Sequence, residues 1–285
     1  MRAGFVVLIG RSNAGKSTLI NSLVGAKVAI VSPKPQTTRF AIHGVVHDPR
    51  GQIVFVDTPG VLERTRDAVS RTMSEHVNAS LEDINALVYV ADPTRPIGAE
   101  EKRAIKLIEP LTIPKILAIN KIDEKGRFVD DYRSLAPKFN AVVEVSGLHA
   151  THLKVLIAKI FEFLPEGEPI YPEFQVTNLD ERQRAAEIIR EKVFIQTERE
   201  VPYAVAVEIE EMEQRETKAG KPMLYIKANI LTLKEHHKKM LVGMGGRKIK
   251  EIGSAARKEL ELALQSPVFL DLEVVVDTNW PRRLL

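Results

Sequence analysis

The chain has no cysteine. That excludes disulfides and thiolate-held metals, and it fits a reducing compartment, so the cytoplasm is the expected location. Long hydrophobic runs are missing as well. The first apolar stretch, Phe5–Ile9, is far too short for a membrane span or the core of a signal peptide, and it runs directly into a glycine loop. Net charge is scarce too: 41 Lys and Arg stand against 38 Asp and Glu, a formal +3 that is too small to select a partner by itself. There is no internal repeat and no low-complexity segment. With 44% hydrophobic and 28% charged residues, the composition is that of a globular protein, neither disordered nor fibrous.

What charge there is lies unevenly. Between Lys234 and Lys258 eight Lys or Arg residues face two acids, Glu235 and Glu251, an excess of six positive charges in 25 residues.

The length of 285 residues suits two domains better than one. In the first part, short β-branched runs alternate with helical patterns, the signature of a mostly parallel sheet covered by helices. Strands are expected at Phe5–Ile9, Phe40–Val46, Gln52–Val56, Ala86–Ala91, Lys115–Ile119 and Ala141–Val145. Helices are expected at Lys16–Val24, Asp67–Ser80, Ala99–Ile108 and His152–Phe163. This domain takes residues 1–165. The Pro-, Gly- and acid-rich stretch from Pro165 to Pro172 has linker composition, and residues 166–176 are assigned to a linker. Residues 177–285 then read as helix (Leu179–Thr197), strands (Ala204–Ile209, Leu224–Ile230), two helices around a glycine cluster, and a last strand (Val268–Val276). The order α-β-β-α-α-β marks an α+β domain.

Three motifs carry chemistry in the first domain. Gly10, Arg11, Ser12, Asn13, Ala14, Gly15, Lys16 and Ser17 fit G-x-x-x-x-G-K-[ST] between a buried strand and a helix, with Thr18 following. The glycines let backbone N–H groups turn inward around phosphate oxygens, Lys16 reaches the β- and γ-phosphates, and Ser17 offers its hydroxyl to Mg²⁺. Asp57, Thr58, Pro59 and Gly60 follow a second apolar strand. Asp57 would act on Mg²⁺ through water, and the Gly60 N–H would reach the γ-phosphate, so the following loop could change when that phosphate leaves. Asn120, Lys121 and, after Ile122, Asp123 follow a third strand. There a carboxylate can accept the N1–H and N2 hydrogens of guanine together, a donor pair that adenine lacks. Where many GTPases place a water-orienting Gln after the glycine, this chain has Val61. Hydrolysis must then rest on charge neutralisation and on water placed by backbone groups or by a partner, so basal turnover should be slow.

In this order the motifs resemble the translation-factor-related branch of P-loop GTPases, over the whole first domain. The resemblance implies that Thr38 belongs to the first switch and completes the Mg²⁺ shell, with Thr37 as the alternative. It implies that Asn13 helps to hold K⁺ near the phosphates; a loop-stabilising role for Asn13 stays open. The guanine-capping loop would be Ser146, Gly147 and Leu148, where the family more often has Ala at the position of Gly147. The contact uses a backbone N–H to guanine O6, which glycine can supply with a looser loop.

In the second domain Gly243, Met244, Gly245 and Gly246 form G-x-x-G between basic helices. With the element order around them, they resemble a KH domain of the bacterial type (type II), whose glycine loop clamps a nucleic-acid backbone. Because Met244 and Gly245 are neutral, phosphate contacts fall to Arg247, Lys248 and Lys250. The whole chain thus resembles the bacterial GTPases that join an α/β P-loop domain with a six-stranded sheet to one KH domain. The resemblance implies GTP/GDP and Mg²⁺ as ligands, binding near the 3′ end of small-subunit ribosomal RNA, a role in small-subunit assembly, a monomer, and peripheral membrane contact. A rival reading is an RNA-binding assembly factor in which GTP is only structural. The seven histidines are expected at the surface, the acid cluster Glu208–Glu216 reads as a solvated face, and Trp280 either stacks a base or packs on its own domain.

Overall fold

The structure, a computed structural model, describes residues 1–32, 34, 42–57, 84–217 and 219–284. The expected helix Asp67–Ser80 and the residues Thr37, Thr38, Thr58, Pro59, Gly60 and Val61 lie outside the described residues.

Contacts divide the described residues into two units, one running from Met1 to Asn178, the other from Leu179 onward with Ser32 and Lys34. In the first unit the strands are β1 (Arg2–Ile9), β2 (Ile42–Asp48), β3 (Gly51–Asp57), β4 (Ile84–Ala91), β5 (Lys115–Ile119) and β6 (Ala141–Glu144). They form one sheet in the order β2-β3-β1-β4-β5-β6, with only β2 antiparallel to its neighbour. The reason is legible in β1. Val6 and Leu8 enter one core and Val7 and Ile9 the other, so the strand is buried on both faces, as parallel sheets require. Helices α1 (Lys16–Val24) and α4 (Leu153–Phe163) cover the first face through Leu19, Ile20, Leu156 and Ile160. The other is covered by α2 (Ala99–Ile108) and the short α3 (Val129–Arg133), through Ile105, Ile108 and Tyr132. From β1 the chain fills one side of the sheet and then the other, so the carboxyl end of β1 is a switch point where ligands bind.

Residues 166–176, expected as linker, are strapped to this unit. Gln52, 1% exposed, accepts the amides of Ile170 and Tyr171 at 2.7 and 2.8 Å and donates to the Tyr171 carbonyl at 2.7 Å. The Val45 amide donates to Val176 O at 2.9 Å. The strap lies along β2 and covers a sheet edge that would otherwise be open to pairing.

The second unit contains α5 (Glu181–Gln196), β7 (Val205–Glu216), β8 (Pro222–Thr232), α6 (Glu235–Val242), α7 (Arg247–Leu264), β9 (Val268–Val276) and α8 (Trp280–Leu284). A reciprocal capping box between Asp180 and Gln183 starts α5. The sheet order is β7-β8-β9, antiparallel then parallel. Ile188, Val193, Ile226, Ile230, Leu241, Ile252 and Leu260 form its core between sheet and helices. Two expectations change here. β7 runs seven residues beyond Ile209, because after a register shift its acids keep pairing with β8 instead of leaving the sheet. Trp280, 1% exposed, packs on Ala206 and Leu231, which sets aside a base-stacking role. Among the described residues no helix is long and apolar enough to cross a membrane.

Candidate active site and nucleic-acid groove

β1 delivers the chain to Gly10, where a Cβ would stand 2.3 Å from the Val90 carbonyl of β4. At Gly15 φ is 90° and a Cβ would stand 2.5 Å from Asn120 Nδ2. Only glycine fits both places, and Gly15 caps α1, so the loop ends at a helix N-terminus, the kind of place that receives an anion. Lys16 Nζ donates to Gly10 O and Arg11 O at 2.9 and 3.0 Å, across the mouth of that loop. Ser17 Oγ donates to Asp57 Oδ2 at 2.8 Å, at the end of β3. Ser17 and the buried Asp57 therefore already sit together as a hard oxygen pair of the kind Mg²⁺ takes directly and through its water shell. Asn13 is exposed and left-handed (φ 63°), a conformation Asn tolerates, which supports the loop-stabilising alternative without touching the cation reading.

The Arg11 side chain turns to buried acids. Its guanidinium does not face the cradle: 6% exposed, it pairs with Asp92 Oδ2 at 2.8 Å and with Glu101 Oε1 at 2.7 Å. Lys121 Nζ reaches the same Asp92 oxygen at 2.8 Å, and Thr94 donates its amide and hydroxyl to the other at 3.0 and 2.6 Å. Tyr132 OH donates to Glu101 at 3.2 Å. Burial works against the Asp92 charge, yet the hydrogen bonds from Lys121 and Thr94 hold its carboxyl below its ordinary range. A buried carboxylate thus joins the phosphate loop to the loop after β5. Burial, with the negative field of Glu101, pushes the Tyr89 and Tyr132 hydroxyls up and keeps both neutral.

Asn120, 2% exposed, is the second tie. Its Nδ2 donates to Ala14 O at 2.9 Å and its Oδ1 accepts the Gly147 amide at 2.9 Å, joining three loops through one side chain. Lys121 turns left-handed (φ 60°) after it, and Asp123 follows with its side chain 19% exposed, His149 Nε2 standing 3.7 Å from its carboxylate. Ser146 is buried and anchored by paired bonds with Thr151 and by the His149 amide, while Leu148 is exposed. The Gly147 amide expected on guanine O6 is already engaged by Asn120, so a base can have it only as a shared donor. A Cβ at Gly147 would stand 3.1 Å from Leu19 Cα, so α1 passes close to this loop.

In the second unit Gly243, Gly245 and Gly246 all have positive φ (71°, 61° and 76°), and a Cβ on Gly243 would stand 2.7 Å from Lys248 Cβ. Met244 is 84% exposed at the tip. Arg247 and Lys250 are exposed and Lys248 half-buried on the first turn of α7, beside the loop as expected. Behind them lies a groove of about 320 Å³ lined by Ile249, Lys250, Gly253, Ser254, Arg257, Leu270 and Leu272. Its floor is aliphatic and its rim basic, an arrangement suited to unpaired bases with their backbone held at the rim. Gly253 lets α7 approach β9 closely, a Cβ there standing 3.3 Å from Leu272 Cδ1. Gly253, Ser254, Arg257, Leu270 and Leu272 were missed from sequence. The recurrence of Lys250, Gly253 and Arg257 on one helical face was the available signal.

A family model described as 50S ribosome-binding GTPase matches residues 5–121, and one described as KH domain matches residues 200–281. GTPase Era of Halothermothrix orenii is 44% identical over 98% of this chain and 94% of its own length. GTPase Era of Aquifex aeolicus is 40% identical over 99% and 96%. Among solved structures, Era in complex with MgGDPNP and nucleotides 1506–1542 of 16S ribosomal RNA aligns with a TM-score of 0.89 at 40% identity, covering 100% of this chain and 96% of the other. A single-residue variant of Aquifex aeolicus Era bound to GDP·AlF4⁻ aligns with a TM-score of 0.89 at 39% identity, covering 100% and 97%.

Proposed function

The chain belongs to the GTPase Era family, and from that membership we propose a GTP-driven switch that binds small-subunit ribosomal RNA near its 3′ end and assists assembly of the small subunit. The observation that carries this reading is the full-length similarity to an Era solved with both MgGDPNP and nucleotides 1506–1542 of 16S ribosomal RNA. Both of this chain's own sites suit it.

In the first unit the P-loop amides bind the phosphates, Lys16 neutralises them, and Ser17 and Asp57 hold Mg²⁺. The ion supplies charge neutralisation at the β- and γ-phosphates. Asp123 selects guanine while Asn120 keeps its loop in register with the cradle. Thr38, Gly60 and the K⁺-holding role of Asn13 complete the proposed site. With Val61 after Gly60, an aliphatic side chain stands where a water-orienting one is usual, so turnover is slow until backbone groups or a bound partner place the water. In the second unit Gly243–Gly246 clamp the backbone, Arg247, Lys248 and Lys250 meet phosphates, and the groove takes the bases.

The reading in which GTP is only structural is not favoured, since a relative has been solved with GDP·AlF4⁻, a mimic of the phosphoryl group in transfer. Single-turnover hydrolysis with and without an RNA matching the 3′ end of small-subunit ribosomal RNA is the test. A faster rate with RNA is expected, and equal rates, or none, would remove the switch. Sedimentation with and without anionic vesicles checks the two lesser parts of the proposal, a monomer and a peripheral membrane contact.

A further inference from the structure

Histidines expected at the surface meet in one place. His236 and His237 open α6 with ring centroids 4.1 Å apart, and His237 Nε2 stands 3.8 Å from Glu200 Oε1. One ligand atom from each of the three lies within 4.8 Å of the others. His237 is 3% exposed, and neither of its ring nitrogens has a hydrogen-bond partner. A buried imidazole with both nitrogens unmatched is an uncommon and costly arrangement. One that is aimed at a carboxylate and a second imidazole suggests what would match it.

We propose that Glu200, His236 and His237 bind a divalent transition metal of the zinc type, with water in the remaining position. Two imidazoles and one carboxylate are the donor set of an open zinc site. Around an ion with ligand bonds of 2.0–2.1 Å, tetrahedral donor atoms stand ~3.3 Å apart. The exposed Glu200 and His236 therefore need only close in on the fixed His237. Burial pulls the His237 pKa down, as do His236 and Lys234 against the opposing pull of Glu200, so the imidazole offers its lone pair at neutral pH. The positive field of Lys234 also works against any cation held by charge alone. Coordination by nitrogen must supply the affinity, which selects zinc, nickel, cobalt or copper over magnesium and calcium. A bound ion would staple the turn before β7 to the first turn of α6, the helix that Gly243 caps.

The test uses the untagged full chain with Mg²⁺ and GDP in excess, so that the nucleotide site is filled, and titrates Zn²⁺ by calorimetry. Unfolding is followed through Trp280, the one tryptophan, which is buried in the same unit. One equivalent of Zn²⁺ should bind and raise the midpoint of the Trp280 transition. Glu200→Gln and His236→Gln alter exposed side chains, so the fold should survive, and each should weaken Zn²⁺ binding by about ten- to a hundredfold or more. The proposal is overturned by an absence of saturable Zn²⁺ binding, or by affinity and midpoint that stay unchanged in both variants.

Discussion

Replacing Asp92 by Asn keeps the shape of the side chain and removes the charge on which two cations converge. Arg11 would keep Glu101 as its one ion-pair partner at 6% exposure. Lys121, with 28% of its side chain exposed, can turn to water. Breaking a buried pair by removing one member costs ~3–5 kcal/mol. Discounted for the second acid on Arg11 and for the solvent reach of Lys121, the expected loss is about 2–3 kcal/mol. Since Asp92 joins the phosphate loop to the loop after β5, GDP affinity should fall too, by about ten- to a hundredfold. Chemical denaturation followed by circular dichroism reports both units, whereas Trp280 fluorescence reports only the second and serves as the internal control. The carboxyl's folded pKa is depressed, so its contribution is present above its unfolded pKa of about 4 and is lost as acid carries the pH through the lower folded value. The gap between wild type and variant should therefore hold from neutral pH to about pH 5 and shrink below pH 4. An Asp92→Asn protein within about 0.5 kcal/mol of wild type at pH 7 would refute the strut.

Gly15→Ala places a methyl 2.5 Å from Asn120 Nδ2 at a φ of 90°; nucleotide binding should fall at least about tenfold with the Trp280 transition unmoved, as fluorescent-GDP titration can show. Arg247→Ala, Lys248→Ala and Lys250→Ala combined should weaken RNA binding and flatten the slope of log affinity against log salt by about 2, three single-strand phosphate contacts at ~0.7 each. Metal-free His237 has a lowered folded pKa, so the unfolded chain takes up its proton first as the pH falls. Stability read through Trp280 should be level above pH 7 and fall by up to about 1.4 kcal/mol per pH unit on descending through about 6.5, and His237→Gln should remove that part of the slope.

Elements bounded by abrupt changes of composition were legible from sequence. Lys16–Val24, Ala99–Ile108, Lys115–Ile119 and Val268–Val276 occur with the expected ends, because an apolar period stops against a glycine, a proline or a polar run. The three motifs proposed to hold the nucleotide could be read at all for a related reason: each is a short, contiguous set of residue types after a strand. What stayed hidden depends on partners far apart in the chain. No local pattern marks Asp92 or Glu101 as buried; Arg11 arrives from 81 residues away to pair with the first of them. Gln52 looked like one polar residue in a strand, yet it pins residues 170 and 171 and turns an apparent linker into a sheet-edge cover. β7 was cut short because acids at alternating positions read as a solvated face, while their pairing with Arg215 and Lys227 shows only in the folded chain.

Charge in the second unit is divided between the two faces of one sheet, and the division bears on how RNA can approach. Leu270 and Leu272 of β9 line the basic groove, so Phe269, Asp271 and Glu273 point the other way. On that far side Phe269 stacks on Tyr225, and the Arg215 guanidinium lies 3.5 Å from the Tyr225 ring centroid. Glu211 and Glu213 consume the charge of Arg215, and Glu210 that of Lys227, which leaves the far face acidic and repellent to phosphate. Its repulsion need not spoil the groove. A sheet and the layer packed on it are separated by ~10 Å, whereas screening at physiological salt acts over ~8 Å, so each face presents its own sign to a ligand. At low salt the acidic side would begin to oppose the groove and binding would gain less than the basic residues alone predict. The salt dependence of RNA affinity should accordingly curve toward a plateau at low ionic strength, and neutralising Asp271 and Glu273 should straighten it.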